Sequence, residues 1–596
     1  MVSVAELLPK KLFLRCILKE IDMLLTIVGF SDRILKNIEE IYICIIFLKE
    51  VIIMKKMISV MLVVIMLFSL SAPAMAAEYV TWGGDIPVVM IYGDGQPIYD
   101  TEGNKVFHFK EMLNMIGDSA DGGLGEAAIN ILMPFLLEGI VEDKWDNYYA
   151  ALEKEIGELF TDARYNEDGE NWNGSGLGKE ALDLMEYNLS YNKGLRGFYD
   201  AYDFEFFYDW RQDPRDTADE FNQYIKDIKE LTGAPKVSII ARCLGTSVVM
   251  AYLEEYGLDD VHGVSFNGSV AAGGEIISES ISGKFVIDVN AINRMISDFE
   301  TIGWFEVDSF ITSSIDMAAK ILMVSGFEFN ETEIYAKLVQ GVTSALALST
   351  FFTWPGYWAL VSDKDYEDAL YYVFGEEGSE KRVKYAKLID KINGYHYDVM
   401  NHIDDIFQEI RDKDVKTAVI AKYGFQLAPI AESRDLVADQ FASVKLASFG
   451  ATTSTIYEPL SEEYIAERVA QGKGKYISPD KRIDASTCAF PDSTWFTKGI
   501  THSDWTAFET SVLFKVVTAD RQLTIDDFDY TQFIVYDNEK AEAFPMTEEN
   551  YKTESWEANK NMDNPEDKYG KIFSVVTTLI LWLIDLINFL REKFGN

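Results

Sequence analysis

The sequence predicts an α/β protein in which a mostly parallel sheet carries helices on both faces. Three short apolar runs rich in β-branched residues, at 86–92, 236–240 and 261–266, are typical of buried strands, and segments with helical periodicity lie between them. Strands and helices that alternate at this spacing favour a parallel sheet, because each parallel connection must cross back over the sheet. A hydrophobic content of 48% over 596 residues supplies the large core that this fold requires.

Helical segments interrupt this alternation in two places, at about 105–200 and at about 275–412. The second block is rich in aromatic residues and methionine, and a strand pattern resumes at 416–423. A helical insertion between late strands of an α/β sheet is where a substrate-covering cap would lie. We therefore expect one α/β domain over 77–512 with large helical insertions.

A three-part leader pattern begins well inside the chain. A basic start at Met54 is followed by an apolar run over 58–70 and by small residues over 72–76. This order is typical of a secretory signal peptide. We expect 54–76 to be the leader of an exported protein, extracellular or at the cell surface, and 1–53 to be an over-extended reading frame. The alternative is a genuine pair of N-terminal membrane helices.

The C-terminal part differs in character from the domain before it. Residues 513–570 predict a small, partly β region and an acidic linker, and 571–596 predict an apolar helix. The apolar stretch at 571–590 is just long enough to span a bilayer, although Asp585 would be costly there. Association with a membrane surface and packing on the domain both stay open.

Charge and cysteine content narrow the possible partners. A net charge of −43 repels phosphate backbones, so nucleic acid is not an expected partner. Beyond the leader, the cysteines are Cys243 and Cys488, too few for a disulfide scaffold in a chain of this length. They either pair with each other or leave a thiol free for chemistry. No cluster with metal-ligand spacing is visible, and we expect neither a metal nor a cofactor.

The sharpest local pattern is a strand that runs into a tight turn and then into a helix. The turn reads Ala241-Arg242-Cys243-Leu244-Gly245, with small residues two positions before and two after the cysteine. A nucleophile turn requires this layout, because larger side chains there would collide with the neighbouring strand and helix. At the start of a helix the thiolate form of Cys243 is favoured. The alternative is a small buried cysteine without activity.

Two backbone segments would form the oxyanion hole of such a site. The N–H group of Leu244 would supply one donor, and the loop after the first strand, at Asp94 and Gly95, the other. A carboxylate at Asp94 is unfavourable beside a developing oxyanion unless it points away.

A thiol nucleophile needs a base, and histidine is the usual one. In the chain order nucleophile, acid, histidine, His502 fits the last place better than the other four histidines. For the orienting acid we expect Asp480, with Asp484 as the runner-up and Asp492 as a weaker third choice. If the loops converge, Cys488 could form a disulfide with Cys243 and silence it.

With these motifs, the chain resembles the lecithin:cholesterol acyltransferase-like branch of the α/β-hydrolases over roughly residues 84–510. The matching segments are Pro87 to Gly95, Phe207 to Pro214 with its Tyr-Asp-Trp-Arg core, Lys236 to Gly245, Phe266 to Gly274, Trp354 to Val361, and the turns at Asp480 and His502. The chain departs from the family in having cysteine for serine at 243, alanine for the first glycine, Arg242 where histidine is common, and Asp94 in the oxyanion loop.

The resemblance implies an α/β-hydrolase fold and a lipase-like O-acyltransferase or esterase of lipid metabolism, acting on a lipid or another acyl-bearing substrate. It also implies a Cys-His-Asp triad that works through a thioester. A thiolate leaves a tetrahedral intermediate more easily than an alkoxide does, so an activated acyl donor or transfer to an acceptor suits it best. The alternative is a catalytically inactive hydrolase-fold protein that binds a lipid or a cell-surface ligand.

Overall fold

The computed structural model describes residues 86–93, 96–108, 134, 144–159, 161–191, 204–284, 350–427, 431–538 and 540–551. The predicted upstream extension at 1–53, the leader at 54–76 and the apolar tail at 571–596 lie outside these residues. Within them, no helix has both the length and the apolar character that crossing a bilayer requires.

The strands of the described residues form one large sheet and two small ones. In chain order they are β1 (Val88–Ile91), β2 (Ile98–Tyr99), β3 (Lys105–Phe107), β4 (Gly176–Leu177), β5 (Phe204–Phe206), β6 (Val237–Cys243), β7 (Val261–Ser269), β8 (Lys416–Tyr423), β9 (Thr452–Thr453), β10 (Ile483–Asp484), β11 (Thr494–Lys498), β12 (Phe533–Asp537) and β13 (Glu542–Pro545).

The large sheet has eight strands in the order β13-β12-β11-β8-β7-β6-β1-β5. Every neighbouring pair in it is parallel except β12 and β13, which pair antiparallel at one edge. The small sheets are antiparallel, one formed by β9 and β10 and the other by β3, β2 and β4. The predicted α/β class with a mostly parallel sheet is therefore confirmed.

The helices of the described residues are, in chain order, α1 (Asp146–Leu159), α2 (Lys179–Tyr191), α3 (Pro214–Thr232), α4 (Gly245–Tyr256), α5 (Glu275–Ile281), α6 (Pro355–Trp358), α7 (Tyr366–Phe374), α8 (Glu380–Lys384), α9 (Ala386–Asp398), α10 (Ile403–Asp412), α11 (Val444–Ala447), α12 (Glu462–Ala470) and α13 (Ala507–Val517). Short 3₁₀ turns lie at Phe351–Thr353, Asp363–Asp365, Met400–His402, Gly474–Tyr476, Ala485–Thr487, Pro491–Ser493 and Ile525–Asp527.

Alternate residues of the central strands feed two separate cores. Val89 and Ile91 of β1 pack in one core with side chains of α3 and α4. Val88 and Met90 pack in a second core with side chains of α13. Helices therefore cover both faces of the sheet, because successive side chains of a strand point to opposite faces and both sets are apolar.

Local signals explain the boundaries of the helix that precedes the nucleophile strand. The side chain of Asp213 accepts a hydrogen bond from the backbone N–H of Arg215 at 3.0 Å, and Pro214 occupies the first helical position of α3. The helix ends at Gly233, whose φ of 74° is left-handed. These residues are the usual helix start and stop signals, so the sequence alone determines the length of α3.

The order of the strands reverses at one point of the sheet. β1 lies between β5 and β6. The chain therefore connects β1 first to its neighbour on one side, β5, and then crosses to its neighbour on the other side, β6. Where the order reverses in this way, the loops after the carboxyl ends of the strands diverge, and ligands of open α/β sheets bind there. The carboxyl end of β6 is Cys243.

Two strands lie within 513–570, where the sequence predicted a small, partly β region and an acidic linker. β12 pairs in parallel with β11, and β13 pairs with β12. These strands extend the main sheet, because residues 533–535 are buried and apolar and continue its core. In the block at about 275–412, the described residues are helical or irregular.

Candidate active site

Cys243 lies in a strained backbone conformation at the end of β6. Its φ of 50° is in the left-handed region, which is uncommon for a residue with a side chain and costs on the order of 1–3 kcal/mol. The hydroxyl of Thr246 donates a hydrogen bond to the carbonyl oxygen of Cys243 at 2.6 Å, and α4 begins two residues after the cysteine. The strand, strained apex and helix are those that the sequence predicted for a nucleophile turn.

Steric contacts explain why glycine is needed around the cysteine. A Cβ atom added to Gly245 would lie 2.6 Å from the carbonyl oxygen of Tyr92, and one added to Gly93 would lie 2.8 Å from the Sγ atom of Cys243. Both distances are shorter than van der Waals contact. The turn after β6 and the end of β1 therefore touch, and only glycine fits at positions 93 and 245.

The oxyanion-hole prediction is tested only in part by these contacts. A Cβ atom added to Gly93 would lie 3.3 Å from the backbone nitrogen of Leu244, so the chain directly after β1 passes beside that nitrogen. Asp94 and Gly95 lie outside the described residues, and their role stays a prediction.

The Tyr-Asp-Trp-Arg motif fixes both ends of this loop. The hydroxyl of Tyr208 donates to the carbonyl oxygen of Tyr92 at 2.9 Å, and the indole N–H of Trp210 donates to the carbonyl oxygen of Gln96 at 3.0 Å. Between them, Asp209 forms a buried ion pair with Arg211, whose Nη2 lies 2.6 Å from Oδ2 of the aspartate. The motif therefore binds the backbone at Tyr92 and at Gln96.

The segment that resembles the cap motif packs against the same structure. Trp354 packs edge-to-face on Trp210, with ring centroids 5.1 Å apart, and its indole N–H donates to the carbonyl oxygen of Ala163. The backbone N–H of Gly356 donates to the carbonyl oxygen of Arg211. Trp354, Tyr357 and Trp358 are all buried. In this structure the segment is part of the core.

His502 lies in the loop after β11 and is hydrogen-bonded to an aspartate that sequence reasoning missed. Its Nδ1 atom is 2.8 Å from Oδ2 of Asp439, and its backbone N–H donates to the carbonyl oxygen of the same residue at 2.9 Å. Both side chains are almost fully buried, with 2% and 0% of their surface exposed. The backbone N–H groups of Phe441 and Ala442 donate to the other carboxylate oxygen of Asp439.

Opposing effects act on the acid of this pair. Burial raises the pKa of Asp439, but the imidazole of His502 and the two backbone donors favour the carboxylate more strongly and lower the pKa below its ordinary value. Asp439 is therefore a carboxylate at neutral pH. A carboxylate that accepts from Nδ1–H leaves Nε2 as the basic nitrogen of the neutral ring.

The imidazole of His502 lies beside the end of β7, the strand that pairs with the one carrying the cysteine. Within the part of the chain that the structure describes, the buried Nε2 atom of His502 has no hydrogen-bond partner. A Cβ atom added to Gly268 would lie 3.4 Å from the Cε1 atom of the ring. The next residue, Ser269, is the register partner of Cys243 in the pairing of β6 with β7. The structure therefore brings the cysteine and histidine turns to the same end of the central strands.

The predicted acids are elsewhere and need correction. Asp480 accepts from Nζ of Lys498 at 2.9 Å and from the hydroxyl of Tyr423 at 3.2 Å. Asp484 is bound to Arg468 at 2.6 Å and to the hydroxyl of Tyr464. Asp492, the third choice, accepts from the hydroxyl of Tyr476. Each of these carboxylates is occupied by a partner other than His502.

A signal for Asp439 was present in the sequence. In the order nucleophile, acid, histidine, the acid precedes the histidine along the chain and sits at the end of a strand, and β8 is the last large-sheet strand before the histidine's own strand β11. The aspartates that follow β8 most closely are Asp435 and Asp439. A choice of the aspartate by its position after β8, instead of by the Ser-Pro-Asp turn at 478–480, would have selected the loop that contains Asp439.

The disulfide that the sequence left open is not formed. No disulfide joins Cys243 and Cys488, and Cys488 packs with Val444 and Phe496 in a different hydrophobic cluster from that of Cys243. Burial raises the pKa of the Cys488 thiol to about 12. Cys488 is therefore an inert core residue that cannot silence Cys243 in this fold.

Comparisons with known proteins add little to this geometry. No family model matches the chain, and no curated protein matches it. A solved structure described as the crystal structure of the Tle4-Tli4 complex is 12% identical to it and covers 57% of this chain and 75% of that one, with a TM-score of 0.25. That score is too low to support a conclusion. Among the described residues, no group of three or more His, Cys, Asp or Glu could hold a metal ion.

Proposed function

We propose that this protein is an acyltransferase or carboxylic-ester hydrolase of the α/β-hydrolase fold. In this proposal Cys243 is the nucleophile, His502 the general base and acid, and Asp439 the residue that orients the imidazole. One observation carries the proposal: a cysteine at φ 50° and a buried His-Asp pair, whose Nε2 has no partner among the described residues, meet at the same end of the sheet.

The topology supports the same assignment. The cysteine follows β6, the aspartate follows β8 and the histidine follows β11, which is the chain order of triads on this fold. The carboxyl ends of β1 and β6 also form the crevice at which ligands bind in open α/β sheets. A buried structural cysteine would need neither the strained apex nor the histidine.

The first half of the reaction forms a thioester. Nε2 of His502 takes the proton of the Cys243 thiol, and the thiolate attacks the acyl carbonyl carbon. The oxyanion accepts hydrogen bonds from the N–H of Leu244 and from the loop at 93–95. The imidazolium then protonates the leaving oxygen, so the C–O bond breaks, an alcohol departs and the acyl group stays on sulfur.

The second half transfers the acyl group. His502, neutral again, removes a proton from an acceptor hydroxyl or from water, and that oxygen attacks the thioester carbonyl. The C–S bond breaks, and the thiolate takes its proton back from the imidazolium. Because sulfur leaves this intermediate readily, this half is fast, and formation of the thioester is the step that demands an activated acyl donor.

Asp439 acts in both halves through charge. Its carboxylate, 2.8 Å from Nδ1, stabilises the imidazolium that forms each time Nε2 takes a proton. The side chain is fully buried, so this attraction is not screened by water as it would be at the surface.

The substrate class and location rest on the sequence. The resemblance supports a lipid or another acyl-bearing substrate, and the leader pattern at 54–76 supports export to the cell surface or beyond. Determination of the N-terminal residue of the protein recovered outside the cell would test the leader. A start shortly after residue 76 is expected.

Acyl-enzyme trapping tests the proposed chemistry. We expect p-nitrophenyl acyl esters of different chain lengths, under reducing conditions, to give an adduct that hydroxylamine removes and that peptide mass spectrometry places on Cys243. The Cys243→Ala variant should give none, and Cys488→Ala should behave like the wild type, because that thiol lies in a separate core.

Absence of the adduct from folded wild-type protein would refute the catalytic proposal. Binding of a lipid by both wild type and Cys243→Ala, without turnover by either, would instead support an inactive binding protein of the same fold.

A further inference from the structure

We propose that Arg242 and Lys422 are positioning residues that hold the His502 turn by its backbone carbonyl oxygens. This inference rests on the proposed function, since it gives these two cations a role in setting the geometry of the triad. Neither side chain was assigned a role by sequence reasoning, which noted Arg242 only as a departure from the family pattern.

Arg242 extends from the nucleophile strand to the histidine turn. Its Nη2 atom lies 3.3 Å from the carbonyl oxygen of His502 and 3.1 Å from that of Asp504, and it also donates to the carbonyl oxygen of Ser503. The guanidinium lies over the ring of Trp505, 5.6 Å from its centroid. Arg242 is 6% exposed, so these contacts are shielded from water. One side chain thus binds three successive carbonyl groups.

Lys422 reaches the same turn from the strand that leads to the acid. Its Nζ atom lies 3.1 Å from the carbonyl oxygen of His502 and also donates to that of Asp504. The ammonium group is fully buried, and burial lowers the pKa of Lys422. Its nearest carboxylate is that of Glu509, at 3.5 Å. The carbonyl oxygen of His502 is therefore shared by two buried cations.

The cluster is connected to the helix that follows the turn. Glu509 is the third residue of α13, and its Oε2 atom accepts from the backbone N–H of Thr506 at 2.8 Å in a capping box. Its other oxygen faces Lys422. The segment from His502 to the start of α13 is thus bound at both ends to the same polar cluster.

The cost of this arrangement indicates a role beyond packing. Removing cations from water is costly, and apolar residues of similar size usually stabilise a core at least as well. Here one carboxylate faces the pair, and most of the remaining partners are carbonyl groups of the single turn that carries His502. Arg242 directly precedes Cys243, and Lys422 is the next-to-last residue of β8, the strand before the Asp439 loop. The two side chains therefore fix the histidine turn relative to both other members of the triad.

Three variants and one control test the inference. Arg242→Met and Lys422→Met remove one donor set each, and Arg242→Lys keeps the charge with a shorter reach. Lys416→Met is the matched control, because Lys416 is a buried lysine on the same strand β8 that bonds instead to Asp414, at 2.7 and 2.9 Å, at the opposite end.

We expect Arg242→Met and Lys422→Met to lower kcat for acyl transfer by about 10- to 100-fold with KM nearly unchanged, since a displacement of about 1 Å has effects of this size. Arg242→Lys should recover part of the loss, and Lys416→Met should retain wild-type kcat. The double variant should lose less than the product of the single losses, because both cations bind the same carbonyl group.

A spectroscopic readout separates this inference from the proposed function. The proton between Nδ1 of His502 and Asp439 should give a low-field resonance in the proton NMR spectrum of the wild type, whether or not the enzyme transfers acyl groups. It should broaden in Arg242→Met and Lys422→Met and persist in Lys416→Met. An unchanged resonance and unchanged kcat in both folded Met variants would overturn the inference, whereas an intact resonance in a wild type that forms no thioester would overturn only the proposed function.

Discussion

Two buried aspartates, Asp439 and Asp480, lie near the carboxyl ends of β8 and β11 and bind very different partners. Asp439, in the loop after β8, accepts from an imidazole whose second nitrogen has no partner among the described residues. Asp480, also buried, accepts hydrogen bonds from Lys498, Tyr423 and Ser478, so each of these donors is used in binding the carboxylate. Burial and residue type are the same in both cases. Under the proposed function, the partner of a buried carboxylate, and whether that partner can still exchange a proton, therefore decides between a catalytic and a structural role.

The largest effect is expected where the acid pairs with the histidine. In Asp439→Asn the amide would present an N–H group to Nδ1 and favour the tautomer with its proton on Nε2, so the ring could no longer accept from Cys243. We expect the rate of thioester formation to fall by about 10⁴-fold, measured as release of p-nitrophenol in the first turnover. The fold should be retained, because the two side chains have the same shape.

Asp480→Asn is the matched control for that measurement. It is equally buried and equally conservative, and we expect thioester formation to change by less than about 3-fold, because Asp480 has no contact with His502. A comparable loss of rate in both variants would contradict the division of roles between the two aspartates.

The cysteine turn and the histidine could be predicted from the sequence because their signals are local or depend only on chain order. Ala241 and Gly245 flank Cys243, and at Gly245 the nearest atoms leave no room for a larger side chain, so the turn could be identified from five residues. His502 could be selected by its place in the chain. The parallel sheet followed from alternation of strands and helices, which is also a short-range pattern.

Asp439 could not be identified in the same way. It lies in an irregular loop, and its contact with His502 spans 63 residues and depends on the neighbouring positions of β8 and β11 in the sheet. The Ser-Pro-Asp sequence at 478–480 is a stronger local turn signal, but its aspartate forms an ion pair with Lys498. The pairing of β12 with β11 was missed for the same reason, since strand order is a property of the whole sheet.

The next effect is on stability and tests the structural aspartate. Asp480→Ala would leave the ammonium group of Lys498, which is 5% exposed, buried without its carboxylate. We expect the free energy of unfolding in urea to fall by about 3–5 kcal/mol. The double variant Asp480→Ala/Lys498→Met should recover much of this loss, because it removes the unpaired charge. A double variant that is less stable than Asp480→Ala would show that the two residues do not act as a pair.

The smallest effect concerns a third buried acid that contacts the catalytic loop. Glu275, at the start of α5, is 4% exposed, and its Oε2 atom accepts from the backbone N–H of Ser443 at 2.7 Å. Burial raises the pKa of Glu275 from 4.5 to about 7, so the folded state binds a proton that the unfolded chain releases. The contribution of this residue to stability should therefore fall as the pH rises from about 4.5 to about 7, and the full penalty of about 3 kcal/mol applies above that range.

Glu275→Gln should remove this dependence and still accept from Ser443. We expect the variant to unfold at higher urea concentration than the wild type at pH 8, and the difference to vanish near pH 4. Glu376→Gln, at an exposed position, should follow the wild type at both pH values. Ser443 closes the loop that begins at Asp439. A gain in stability at pH 8 without a change in the rate of thioester formation would therefore show that this loop tolerates the charge on Glu275. It would also show that the carboxylate of Asp439 is fixed by its own backbone donors. A variant as unstable at pH 8 as the wild type would show that water or a nearby donor already solvates this carboxylate.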